Sequence, residues 1–169
     1  MSYAELHLHS CWSLLEGAST PEELVLRARE LGYEALALTD HDDLYGAMEF
    51  AQCAHAWGLR PITGAEMTIA DPEGGPPHHL TLLAADRSGY SHLCRLITRA
   101  YAHDRLSPAL DPSLLAEHAG GLICLSGCRK SRLARLVTEG RLVCGARHRV
   151  GARSLKKGEA AAPSSRDKP

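Results

Sequence analysis

No apolar run in this 169-residue sequence exceeds a few residues, so nothing in it reads as a segment able to span a bilayer. A Cys-x-x-Cys pair is missing as well. The six cysteines (Cys11, Cys53, Cys94, Cys124, Cys128 and Cys144) are scattered, which argues against a zinc ribbon or a disulfide framework. Reduced thiols in a cytoplasmic protein are the expectation. No signal-peptide pattern precedes the first apolar stretch, which Met1-Ser2-Tyr3-Ala4-Glu5 enters directly. Net charge is nearly absent, at −1, but that figure hides a split. From Arg141 to Pro169 eight Lys/Arg stand against two Asp/Glu, about +6, while the rest of the chain carries about −7. An acidic body is a poor general binder of phosphate backbone. It suits a site that concentrates cations.

What is there is ordinary globular material: 44% hydrophobic and 23% charged residues, in a length that fits one domain. Tyr3 to Leu8 reads as a first strand. Ser19-Thr20-Pro21-Glu22-Glu23 then announces a helix, with Thr20 as N-cap, Pro21 at N1 and Glu23 completing a capping box. Gly32 closes it. Ala35 to Thr39 is a nearly continuous apolar run, as in a strand covered on both faces, and it stops at the polar cluster Asp40-His41-Asp42-Asp43. A second helix spans Tyr45 to Trp57. Pro61 to Gly64 reads as a short strand, with Glu66 just beyond it. Residues 70–77 form a turn or loop, and His79 to Ala84 a further strand. Ser88 to about His103 is helical, Asp111 to Leu115 starts a short capped helix, Gly121 to Ser126 is a buried strand and Arg129 to Glu139 a helix. The alternation of strands and helices predicts an α/β fold with a largely parallel sheet of about five strands. That is too few for a closed eight-stranded barrel, which needs about 250 residues. After Arg141 the periodicity lapses, so residues 1–140 read as the domain and 141–169 as a basic, disordered tail.

The chemistry starts at Glu5-Leu6-His7-Leu8-His9-Ser10. In a strand, alternation puts His7 and His9 on one face. Two parallel imidazoles can share a metal ion, although a solvated His-x-His pair is common. Further ligand-type residues stand at the ends of later strands: Glu16 in the next loop, His41 after Asp40, Glu66, and Cys128 after the run ending at Ser126. Ligands gather at strand C-termini in such folds. His79 stands at the start of its strand, and joins the set only if that strand begins near the site or runs antiparallel. Histidine, carboxylate and thiolate together favour transition metals, and such a cluster activates water and clamps a phosphoryl group. Asp40 is expected to orient a histidine, Asp42 and Asp43 to be solvated. His55, His78, His92, His103, His118 and His148 receive no role.

His7-Leu8-His9-Ser10, Glu16-Gly17-Ala18-Ser19, Leu38-Thr39-Asp40-His41, Gly64-Ala65-Glu66, His79 to Ala84 and Leu125-Ser126-Gly127-Cys128 together resemble the PHP (polymerase and histidinol phosphatase) domain. Residues 34–47 and 58–66 are most similar to the error-prone branch of the bacterial DNA polymerase III alpha group. The resemblance implies a distorted seven-stranded β/α barrel that holds two or three divalent ions, zinc, manganese or iron. By motif, His7, His9, Glu16, His41, Glu66, His79 and Cys128 would be the metal ligands, with His7, His9, His41 and Glu66 at the reacting centre. It further implies phosphoester hydrolysis or 3′–5′ exonuclease action, DNA or nucleotide phosphate as partner, and a place in replication and translesion repair. The family's late Asp-x-His does not occur after Cys128. The expectation is therefore a partial barrel, the N-terminal fragment of a polymerase without its polymerising core. The alternatives are a non-catalytic module that braces a polymerase, and a stand-alone phosphatase of the histidinol-phosphate type.

Overall fold

The computed structural model describes residues 3–140; the expected tail, 141–169, lies outside the described residues. The element order is α1 (Pro21–Glu30), β1 (Ala35–Leu38), α2 (Ala47–Ala56), β2 (Arg60–Ile69), β3 (His78–Ala84), α3 (Arg87–Ala100), α4 (Ser113–Glu117), β4 (Leu122–Leu125) and α5 (Arg132–Thr138). The strands form one open sheet in the order β1-β2-β3-β4. The class is mixed α/β, as expected, and the sheet is not closed. No helix among the described residues is long and apolar enough to cross a membrane.

The local signals hold where the chain is helical. Thr20 accepts the Glu23 amide while the Glu23 carboxylate accepts the Thr20 amide, a complete capping box with Pro21 at the first turn. Val25 and Ala28 of α1 pack with Leu36, Leu38, Phe50, Ala54 and Leu59 in one buried cluster. A second cluster joins Ala65, Met67, Ile69 and Leu82 to Leu93, Leu96 and Ala100 of α3, and to Leu110. β2 therefore turns its odd-numbered side chains toward α3. Its even-numbered ones, Glu66 among them, face the other way.

Four expectations are corrected. The stretch from Tyr3 to Leu8 is not a full strand; it makes one parallel bridge, Glu5 to Leu36. Side chains take the amides a ladder would use, since Leu6 and His7 donate to the Glu5 carboxylate and Leu8 to the Thr39 hydroxyl. The sheet is not largely parallel: only β1 and β2 pair that way, while β2–β3 and β3–β4 are antiparallel. Loop 70–77 holds no crossover helix, so β3 has to return beside β2. β2 runs on to Ile69, which puts Glu66 inside the strand and not after it. Finally, β4 is only partly covered, with Ile123 and Cys124 exposed, because among the described residues no strand pairs its outer edge.

Candidate metal centre

Two buried carboxylates, Asp40 and Glu66, organise the site. Asp40 follows β1 and accepts the Ser10 amide at 2.6 Å, the Ser10 hydroxyl at 2.7 Å and the Ser13 hydroxyl at 2.7 Å. Its carboxylate bonds no imidazole directly and acts on His9 and His41 through Ser10 and Ser13. It folds the loop that carries His9 and Glu16, and the Ser13 hydroxyl in turn accepts the His41 amide. Gly17 closes the same loop, since a Cβ there would sit 1.8 Å from the Ser10 carbonyl oxygen. Only glycine fits.

His41 is set beside Glu66 by the backbone. The Glu66 amide donates to Asp40 and the Asp42 amide to Glu66, both at 3.0 Å, which extends the parallel pairing past β1. Asp42 lies at φ 52° and fixes this turn by accepting both the amide and the hydroxyl of Thr68. Asp42 and Asp43 are buried, not solvated as expected. Burial pushes both carboxyls up, Asp43 to about 6.

Antiparallel pairing settles where His79 goes. Thr68 lies opposite His79 and Glu66 opposite Thr81, so the start of β3 lies beside the far end of β2. His79 Nδ1 is then 3.6 Å from Glu66 Oε1. Cys128 arrives on the loop after β4, its Sγ 4.0 Å from His79 Nδ1. That loop is held against β3 by the His79 amide, which donates to the Lys130 carbonyl. Gly127 permits the approach: it lies at φ 79°, and a Cβ would meet the His79 carbonyl oxygen at 2.8 Å.

All seven candidate residues are thus brought together. Glu66 Oε2 is 3.2 Å from His7 Nε2, 3.0 Å from His9 Nε2 and 3.1 Å from His41 Nε2. Glu16 Oε2 is 2.8 Å from His41 Nε2 and 3.7 Å from His9 Nδ1. Three ligand triplets result, His7/His9/Glu66, His9/Glu16/His41 and His41/Glu66/His79, each with its donor atoms within 4.8 Å of one another. Glu66, His9 and His41 each occur in two of the triplets, so the donors are spread over more room than one ion needs.

The donor atoms also fit a cation by what they lack. His7 Nε2, His9 Nε2, His41 Nε2 and Glu66 Oε1 are all buried without a hydrogen bond. Orphaned buried polar atoms are rare and costly. Cations seated among the imidazole nitrogens and the Glu66 carboxylate would satisfy these atoms, and the imidazole–carboxylate mixture suits divalent transition metals.

The electrostatics agree. Burial alone would raise the Glu66 carboxyl, yet the surrounding His79, His9 and Cys128 side chains and the charge of His7 hold it well below the usual carboxylate range. Contact with Glu66 raises His9, whereas burial lowers His41. Lys130, donating to Glu16 Oε1 at 2.7 Å, holds the Glu16 carboxyl low.

Ser10, Ser13 and Lys130 were not foreseen, and neither was Thr81, which is buried opposite Glu66 with an unpartnered hydroxyl. A serine 30 or 27 residues before the carboxylate it serves gives no signal of its own. Lys130, two residues after Cys128, was the readable one.

The sequence profile of the PHP domain matches residues 5–158. The chain belongs to the PHP family. This PHP chain is 43% identical over 159 residues to an error-prone DNA polymerase of Symbiobacterium thermophilum, covering 84% of itself and 14% of that protein. It is also 43% identical over 152 residues to the DNA polymerase III subunit alpha of Treponema pallidum, covering 83% of itself and 13% of the relative. The PHP chain thus spans about one seventh of the length of these curated relatives. Among solved structures, a two-domain protein from Bacteroides vulgatus, described as containing a predicted PHP-like metal-dependent phosphoesterase, superposes with a TM-score of 0.50 at 18% identity. It covers 82% of this chain and 41% of that one, and shows a shared fold.

Proposed function

We propose that this PHP domain holds two or three divalent ions, zinc, manganese or iron, and hydrolyses phosphoesters of DNA or nucleotides in the manner of a 3′–5′ exonuclease. We further propose that it does so as part of an error-prone polymerase of the DNA polymerase III alpha group, in replication and translesion repair. The observation that carries this reading is the focus of orphaned imidazole nitrogens on Glu66.

His7, His9, Glu16, His41 and His79 would each supply one donor to an ion, Glu66 is the carboxylate able to bridge two, and Cys128 stands beside His79. When bound, such ions acidify water and neutralise charge on phosphoryl oxygens. The chain's own part is to hold the ligands. Glu66 presents one oxygen to His7, His9 and His41 and the other to His79. Asp40 keeps the loop of His9 and Glu16 folded through Ser10 and Ser13. The buried floor of Met67, Leu82 and Leu93 closes the far side of the sheet against water.

Elemental analysis of the full chain purified without a metal-binding tag, beside a His41→Ala variant, tests this. Two or more equivalents of metal, reduced in the variant, together with hydrolysis of bis(p-nitrophenyl) phosphate and of a 3′-labelled oligonucleotide, are expected. Less than about a tenth of an equivalent in folded protein overturns the reading, and leaves a bracing module. Preference for histidinol phosphate over the oligonucleotide would turn it toward the stand-alone phosphatase.

A further inference from the structure

Lys130 is a basic side chain in direct contact with the ligand cluster, through Glu16 Oε1 at 2.7 Å. Two nearby bases are committed elsewhere: Arg132 pairs with Glu73, and Arg135 with Asp71 and the Pro76 carbonyl. Its backbone is fixed on both sides. The Lys130 amide donates to Cys128 Sγ, its carbonyl accepts the His79 amide, and Ser131 donates to the Cys128 carbonyl. Its side chain stays 60% exposed, so the ammonium stands at the mouth of the centre and not within it.

Glu16 divides its oxygens. Oε2 faces His41 and His9 among the ligand atoms, and Oε1 faces Lys130. A cation taken up by Oε2 draws charge from the carboxylate and loosens its hold on the ammonium. A lysine so released is a mobile point charge with three donors, which suits a tetrahedral phosphoryl group arriving from solvent.

We propose that Lys130 is the phosphate-positioning residue of this centre, exchanging Glu16 Oε1 for a non-bridging phosphoryl oxygen when a phosphoester binds. This rests on the phosphoester reading above.

The test uses the full chain, loaded with manganese, in three forms: unaltered, Lys130→Met and Lys130→Arg. Metal content is measured by elemental analysis, inorganic phosphate binding by calorimetry, and KM and kcat with bis(p-nitrophenyl) phosphate. Lys130→Met is expected to keep its metal equivalents, to bind phosphate about tenfold more weakly and to raise KM by a similar factor. Lys130→Arg should recover most of the loss. Unchanged phosphate binding in Lys130→Met overturns the proposal while the phosphoester reading stands. Loss of metal in that variant also overturns it, since Lys130 would then act by holding Glu16. Failure of the unaltered, metal-loaded chain to bind phosphate overturns the phosphoester reading and the proposal with it.

Discussion

Asp40 and Glu66 are joined by a backbone hydrogen bond and are equally buried, yet their surroundings are opposite. Asp40 sits in a cradle of neutral donors, two hydroxyls and an amide. Glu66 sits among imidazoles, and its Oε1 has no hydrogen bond at all. Between them in sequence, Asp42 accepts two donors from Thr68 and Asp43 one from Tyr45. Of these two, the carboxyl with the single donor is the one that burial drives to about 6. Glu66 breaks the order, because histidines replace the missing donors and hold its carboxyl low. A buried carboxylate satisfied by amides and hydroxyls builds structure. One satisfied only by groups that themselves lack partners marks a place for a cation.

The widest separation between the two comes from truncating Asp40. Asp40→Ala orphans three buried donors and should cost about 3 kcal/mol, seen as a lower urea midpoint of the metal-free protein. A midpoint equal to the parent's would break the comparison. Glu66→Gln should act the other way round. Metal affinity falls about a hundredfold, equivalent to about 2.7 kcal/mol, while the metal-free midpoint moves less than half as far as in Asp40→Ala. Competition with a chromophoric chelator measures it. Asp43→Asn gives the smallest effect and sharpens the middle of the series. A carboxyl raised from 3.8 to about 6 ionises first in the unfolded chain. Stability from this group is therefore fully present below about pH 4 and is lost as pH rises toward 6. Asparagine keeps an acceptor for Tyr45 but removes that slope. After allowance for partial screening, the variant should gain about 1 kcal/mol at pH 7 relative to pH 4, read from thermal melts at the two values.

What could be read in the sequence was local. The capping box of Thr20 and Glu23, the apolar run at β1 and the ligand-type residues at 7, 9, 16, 41, 66, 79 and 128 are short-range patterns, and the structure gathers those seven side chains. What could not be read depends on partners far along the chain. The direction of β3 is decided by its return beside β2, so His79 looked misplaced at a strand start when antiparallel pairing puts it beside Glu66. The length of β2 past Gly64 is set by six residues of pairing with β3. Tyr3 to Leu8 has the alternation of a strand, but the Glu5 carboxylate and Thr39 hydroxyl compete for its amides. The burial of Asp42 and Asp43 follows from Thr68 and the turn at positive φ, which a run of three aspartates around a histidine does not announce.

The contact between Glu16 and Lys130 closes a ring of 114 residues. By polymer statistics such a closure costs roughly 4 kcal/mol in a free chain, whereas a solvent-exposed ion pair returns less than about 1 kcal/mol. The pair therefore cannot pull the chain together; it forms after β2, β3 and β4 have already brought its ends near. The rim of the centre is a late event in folding, and the first histidines to be synthesised wait for some of the last described residues before Lys130 reaches the edge of their cluster.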